Sequence, residues 1–183
     1  MTAVACIAAF AVGIVYASLA EWTIHKFLMH RPLFNFKHFF KGHAQIHHGV
    51  YKGDETYLVG DREPRELTLA WWAMPFPIVF HLPILILLGS WFGVAVPIGL
   101  IIAFAMYQFS YEYFHYCMHV PRDRWFERTP MFQWVNEHHL QHHRKHGTNL
   151  NVVLPLADFL FGTSRKLSAL PVSLRQVVTV ADI

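Results

Sequence analysis

The chain carries 14 histidines against only 12 acidic residues, and all but His81 fall into four groups. HKFLMH holds His25 and His30, and HAQIHH holds His43, His47 and His48, with His38 just upstream. HYCMH holds His115 and His119, and HHLQHHRKH holds His138, His139, His142, His143 and His146. On a helix, residues three or four apart project from one face with Cβ atoms about 5–6 Å apart, the reach needed to share a metal ion. His43/His47, His115/His119 and His139/His143 have i,i+4 spacing, and His142 lies three residues after His139. The spacing of five in His25/His30 is looser and reads as a helix end ahead of Pro32.

One such pair is weak grounds for ligation, but four groups together are different. Protonated, so many imidazoles would repel each other, and neutral, they leave many ring nitrogens needing partners. Metal ions resolve both difficulties. A structural zinc takes four ligands, so about ten well-spaced histidines exceed one zinc and suit two ions. Imidazole serves zinc, copper, iron and nickel alike. Apolar segments adjoining the histidines favour a lipid-tail substrate, and attack on its unactivated C–H bonds needs an oxidant such as iron with O₂.

The elements that must position these groups follow from where charge is missing. Met1 to Ala20 and Leu67 to Tyr111 contain no Asp, Glu, Lys or Arg, and a bilayer-spanning helix needs about 20 apolar residues. The expected architecture is an all-α integral membrane bundle of about three spans: residues 2–20, then a hairpin of 67–88 and 92–113 turning near Gly89 and Ser90. Trp71, Trp72, Trp91 and Tyr111 fall at span ends, where interfacial aromatics belong. Pro75, Pro77, Pro83 and Pro97 predict kinks in the hairpin. All 15 Lys and Arg lie in residues 21–66 and 112–183. Two crossings return the chain to one face, so the histidine blocks form a helical cap there, on the cytoplasmic side by the positive-inside bias. Helices in these blocks are broken at Arg31–Pro32 and around Gly49 to Pro64, and Val152 to Phe161 is apolar enough to lie on the membrane surface. The whole chain, 1–183, reads as one domain.

Composition removes other classes. Charged residues make up 15% and hydrophobic residues 54%, against about 25% charged in soluble domains. Cys6 and Cys117 make no disulfide framework or zinc-finger spacing. Despite a net charge of +3, the basic residues are scattered, which argues against nucleic acid. The first segment lacks the basic start of a secretory signal.

HKFLMH, HAQIHH, HYCMH and HHLQHH, followed by NLNVVLPLADFLFGT, resemble the fatty acid hydroxylase superfamily of membrane di-iron oxygenases, which includes sterol desaturases. The resemblance runs from about Glu21 to Thr163. It implies metal ligation by His25, His30, His43, His47, His48, His115, His119, His139, His142 and His143, and two iron ions, with zinc an alternative in purified protein. It implies a multi-pass membrane enzyme that hydroxylates or desaturates a fatty acyl chain or sterol. Its partners would be O₂ and a separate electron-transfer protein of cytochrome or ferredoxin type. The second box is HxxxHH, where fatty acid 2-hydroxylases typically have HxxHH. The opening EWxxHKxxMH also resembles carotenoid hydroxylases, so a β-carotene hydroxylase is the alternative enzyme. A membrane zinc-binding protein or transporter is the non-enzymatic alternative, and it would need ion-carrying groups inside the spans.

Around the boxes, Glu21, Glu112, Asn136, Glu137 and Asp158 are candidates to orient ligand imidazoles by accepting their second N–H. His138 and His146 are candidates to stand behind the ligands, and His38 could replace His43. Cys117, Phe27, Met29 and Met118 read as packing, and His81 as a histidine bonded to a neighbouring helix.

Overall fold

The computed structural model describes residues 2–33, 37–60, 67 and 74–166. Every regular element among them is helical, in the order α1 (Thr2–Ile24), α2 (His38–Phe40), α3 (His48–Val50), α4 (Phe76–Phe92), α5 (Ala95–His119), α6 (Pro130–Arg144) and α7 (Leu156–Leu160). Two stretches wind as π-helix, His25–Met29 and Lys41–His47.

Among the described residues, two helical stretches are long and apolar enough to cross a membrane: Thr2–Met29, which continues α1 through the first π-turn, and Ala95–His119. They pack against each other along small residues. A Cβ added at Gly13 would lie 2.6 Å from the Ala103 Cβ, and one added at Gly99 would collide with the Cys6 carbonyl oxygen. Small residues let helix backbones approach closely where apolar surroundings provide little drive for association. Gly99→Val is therefore expected to force α1 off α5 at a cost of at least about 1–3 kcal/mol, read as a lower melting temperature of the purified protein in detergent. An unchanged melting temperature would mean that the two helices are not locked at Gly99.

The hairpin differs in detail from expectation. The turn lies at Gly93, between α4 and α5, rather than at Gly89 and Ser90. Gly93 has φ +84, a conformation glycine adopts without steric cost. Ser90 instead stays helical and donates its hydroxyl to the Leu87 carbonyl at 2.8 Å. Helix α4 starts at Phe76, well after residue 67, because Pro75 caps it and Pro77 occupies its first turn, where a missing N–H costs nothing. Pro97 likewise sits in the first turn of α5, so of the four hairpin prolines only Pro83 is inside a helix. Trp71 and Trp72 lie outside the described residues. Trp91 is exposed, whereas Tyr111 is buried in the core cluster that also holds Met118 and Leu140.

His81 is bonded to the neighbouring helix, as the sequence suggests. Its Nδ1 donates to the Pro77 carbonyl at 2.6 Å, which leaves Nε2 to accept from the Tyr16 hydroxyl of α1 at 2.7 Å.

The segment after α6 folds back on the end of α1. The Ser18 hydroxyl donates to the Leu154 carbonyl at 2.6 Å, and Trp22 Nε1 donates to Thr163 Oγ1 at 2.8 Å. Ala157 and Asp158 of α7 face inward, while Phe159, Leu160 and Phe161 remain exposed.

Candidate metal centre

Two compact groups of imidazoles lie where α1, α5 and α6 converge. One contains His25, His30, His43, His48 and His142, and the other His47, His115, His119, His139 and His143. Within each group the five candidate ligand atoms all lie within 4.8 Å of one another. These are the ten histidines singled out in the sequence. The groups touch, with His48 and His143 ring centroids 4.3 Å apart and those of His43 and His47 5.3 Å apart.

The way the chain distributes them was not apparent from α-helical spacing. The i,i+4 pairs His115/His119 and His139/His143 both serve the second group, but His43/His47 is split between the two. The first group draws on spacing of five. In the π-turn at the end of α1, the His30 N–H reaches the His25 carbonyl at 3.0 Å, and the two rings stack with centroids 5.0 Å apart. The second π-turn brings the Nε2 atoms of His43 and His48 to 3.0 Å. A π-turn closes i to i+5, so residues five apart share a face. His25/His30 is thus a π-helical pair rather than a frayed helix end.

Backbone carbonyls set the ring orientations. His25 Nδ1 donates to the Leu150 carbonyl, His115 to Leu67 at 2.8 Å, and His119 to Tyr57 at 2.6 Å. His142 donates to Thr148 at 2.9 Å and His143 to Tyr51 at 2.6 Å. A carbonyl only accepts, so each of these neutral rings carries its lone pair on Nε2, aimed into the cluster. In the second group, three bare Nε2 atoms, those of His115, His119 and His143, therefore face His47 and His139 at 3.0–3.3 Å. Two remaining rings can supply at most two hydrogens to this surplus of lone pairs. His48 Nδ1 and His139 Nδ1 are in addition buried without a partner. The donor set fits a metal cation at each group.

Burial pushes the imidazoles toward the neutral form that a metal requires. His43, His139, His142 and His143 are held well below the usual histidine range by desolvation first and by crowding with neighbouring rings second. The same causes lower His48, and they bring His30 down to about 2. An unfolded chain binds protons at these sites below about pH 6.5, whereas the folded chain does not, so folding stability rises with pH through that range. Metal-free protein is expected to melt at the same temperature at pH 8 and 7.5, and more than about 5 °C lower at pH 5. A flat profile from pH 8 to 5 would contradict neutral buried rings.

Of the residues expected to orient the ligands, Glu21, Asn136 and Asp158 bond groups other than the ten imidazoles, and Glu137 lines a cavity beside Trp134, His138 and Gln141. Glu21 accepts from the Tyr107 hydroxyl at 2.6 Å, Asn151 Nδ2 at 2.9 Å and the Val152 N–H at 2.6 Å, with no imidazole. Asn136 accepts from the Tyr57 hydroxyl, and Glu112 from Gln108. Asp158 bonds His138 at 2.9 Å and the backbone N–H groups of Leu150 and Asn151 at 2.9 and 2.8 Å. Burial opposes ionisation of Asp158, but these bonds outweigh it and hold the carboxyl below its usual range. His138 thus faces away from both groups. His146 stacks beside the first group, 4.1 Å from His48 and 5.5 Å from His30 between centroids. His38 lies outside both groups, so it does not take the place of His43. Cys117 and Met118 are core.

An all-helical chain in which apolar helices end on two adjoining five-imidazole clusters has the framework of a helical metalloprotein suited to a membrane. The profile of the family described as Fatty acid hydroxylase matches residues 10–163. The chain belongs to that family. Neither the curated proteins nor the solved structures provide a match to it.

Proposed function

We propose that the chain is an integral membrane oxygenase that hydroxylates or desaturates a lipid chain with two iron ions, one at each imidazole group. The observation that carries this reading is the contact between two complete five-histidine sets, His48 against His143, in a chain of the Fatty acid hydroxylase family. His25, His30, His43, His48 and His142 would hold one ion, and His47, His115, His119, His139 and His143 the other. Bound iron would supply the oxidising power toward O₂ that protein side chains lack.

The chain itself contributes position and dryness. Carbonyl-fixed rings present lone pairs in a set direction, so little reorganisation accompanies metal loading. All five rings of the second group are buried, whereas His30 of the first is only half-buried, which makes the first group the accessible side. Helix α4, with 17 residues, spans about 26 Å at 1.5 Å per residue, and we read it as a further crossing that leads away from the histidine cap, with α5 returning the chain to the cytoplasmic face. There an electron-transfer protein would dock, and a lipid chain would enter between the apolar helices.

The test is anaerobic purification with metal analysis, together with lipid mass spectrometry of cells making the chain. About two irons per chain and an O₂-dependent lipid product support the reading. A gain of one oxygen identifies hydroxylation, and loss of two hydrogens identifies desaturation. Zinc without any O₂-dependent product overturns it.

A further inference from the structure

On the opposite face of α6 from the histidine groups lies a cavity of about 150 Å³. Trp134, His138 and Gln141 fall on that face by their spacing, and Glu137, Phe159, Arg165 and Lys166 are among the other residues of its wall. Gln141 is 2% exposed, yet neither its amide nitrogen nor its oxygen has a partner. A buried amide left unpaired costs free energy comparable to a lost hydrogen bond. The Gln141 amide therefore points to a ligand able both to accept and to donate.

The charges around it narrow the choice. Glu137, Arg165 and Lys166 form no salt bridge among the described residues, so one free carboxylate and two free cations border the same space. The aromatic wall of Trp134 and Phe159, with rings nearly parallel, suits an ammonium group. Arg165 and Lys166 suit a phosphate, which arginine binds in bidentate fashion. The position is fixed at the end of an apolar helix: Trp22 of α1 bonds Thr163, just before the basic pair, and Phe159, Leu160 and Phe161 are exposed beside it.

We infer that this cavity binds the headgroup of a zwitterionic phospholipid, with the phosphate at Arg165 and Lys166, the amine at Glu137 and Trp134, and Gln141 bonding the polar linkage between them. It is a site separate from the imidazole groups and does not depend on the reaction proposed for them.

Native mass spectrometry of the full chain in detergent would measure retention of phosphatidylethanolamine, phosphatidylglycerol and diacylglycerol, with soluble glycerophosphoethanolamine as competitor. Phosphatidylethanolamine should bind best and diacylglycerol least. Arg165→Gln with Lys166→Gln should weaken both phospholipids about tenfold or more, as expected for loss of charge-assisted bonds. Glu137→Gln should weaken phosphatidylethanolamine while leaving phosphatidylglycerol unchanged, and metal content should be unaffected in all these variants, whose charges border the cavity on the far side of α6 from the imidazole groups. Equal retention of diacylglycerol, or variants with wild-type binding, would overturn the site. Competition by glycerophosphoethanolamine at the concentration of the lipid would show a soluble phosphodiester ligand instead and overturn the lipid assignment.

Discussion

His142→Ala is expected to lower bound metal from about two ions per chain to about one and to remove the lipid product. His142 Nε2 lies 3.0 Å from His30 Nε2 and 3.1 Å from His48 Nε2, so it is a hub of the first group. Its loss leaves four rings there and none missing from the second. Alanine is the best helix former, so α6 should persist. The Thr148 carbonyl loses its His142 donor, worth only about 1 kcal/mol. Loss of groups that merely support ligands costs about 10–100-fold in affinity or activity, and removal of a ligand should exceed about 100-fold. Elemental analysis and lipid mass spectrometry on the same preparation check this, with circular dichroism for retained helix. His139→Ala is the companion, since it should empty the second group instead. Two retained ions with full product formation in His142→Ala would remove this residue from the metal site.

His142 and His139 lie three residues apart yet belong to different groups, a division only partly legible in the sequence. Residue type and clustering pointed to the four histidine groups, but it was the resemblance to the family's histidine boxes that picked the ten rings from among them and left out His38, His138 and His146. Assignment to one group or the other depended on helix type. An α-helical reading pairs His43 with His47, but the π-turn at Lys41–His47 pairs His43 with His48. The helix-opening role of Pro75 and Pro77 also escaped the pattern of apolar residues, since charge-free runs mark lipid-compatible length and not where the first hydrogen bond forms. Carboxylates near the boxes were natural candidates to hold the rings. The chain uses carbonyls for this, and a carbonyl has no signature in residue type. Two of these carbonyls, those of Thr148 and Leu150, belong to the loop from Thr148 to Val152, and the carboxylates of Glu21 and Asp158 hold that loop.

Asp158 makes the dependence testable. It is fully buried, and four donors converge on it: the N–H groups of Leu150 and Asn151, the Thr163 hydroxyl at 2.6 Å, and His138. The same loop presents the Leu150 carbonyl to His25 and the Thr148 carbonyl to His142. Asp158→Ala would strand two backbone N–H groups and His138 without an acceptor, a loss of about 3–5 kcal/mol by analogy with broken buried pairs. For a chain of this size the melting temperature should fall by about 10 °C. Because both dependent rings belong to the first group, metal should leave that group first, giving about one ion per chain before any general unfolding. Asp158→Asn retains one acceptor oxygen and should fall between the two. Differential scanning fluorimetry in detergent, run beside metal analysis, separates the effects. An Asp158→Ala protein with unchanged melting temperature and two ions would show that the loop holds His25 and His142 without the carboxylate. Equal loss of both ions would show that the two groups collapse together, so that the carboxylate supports the whole cap.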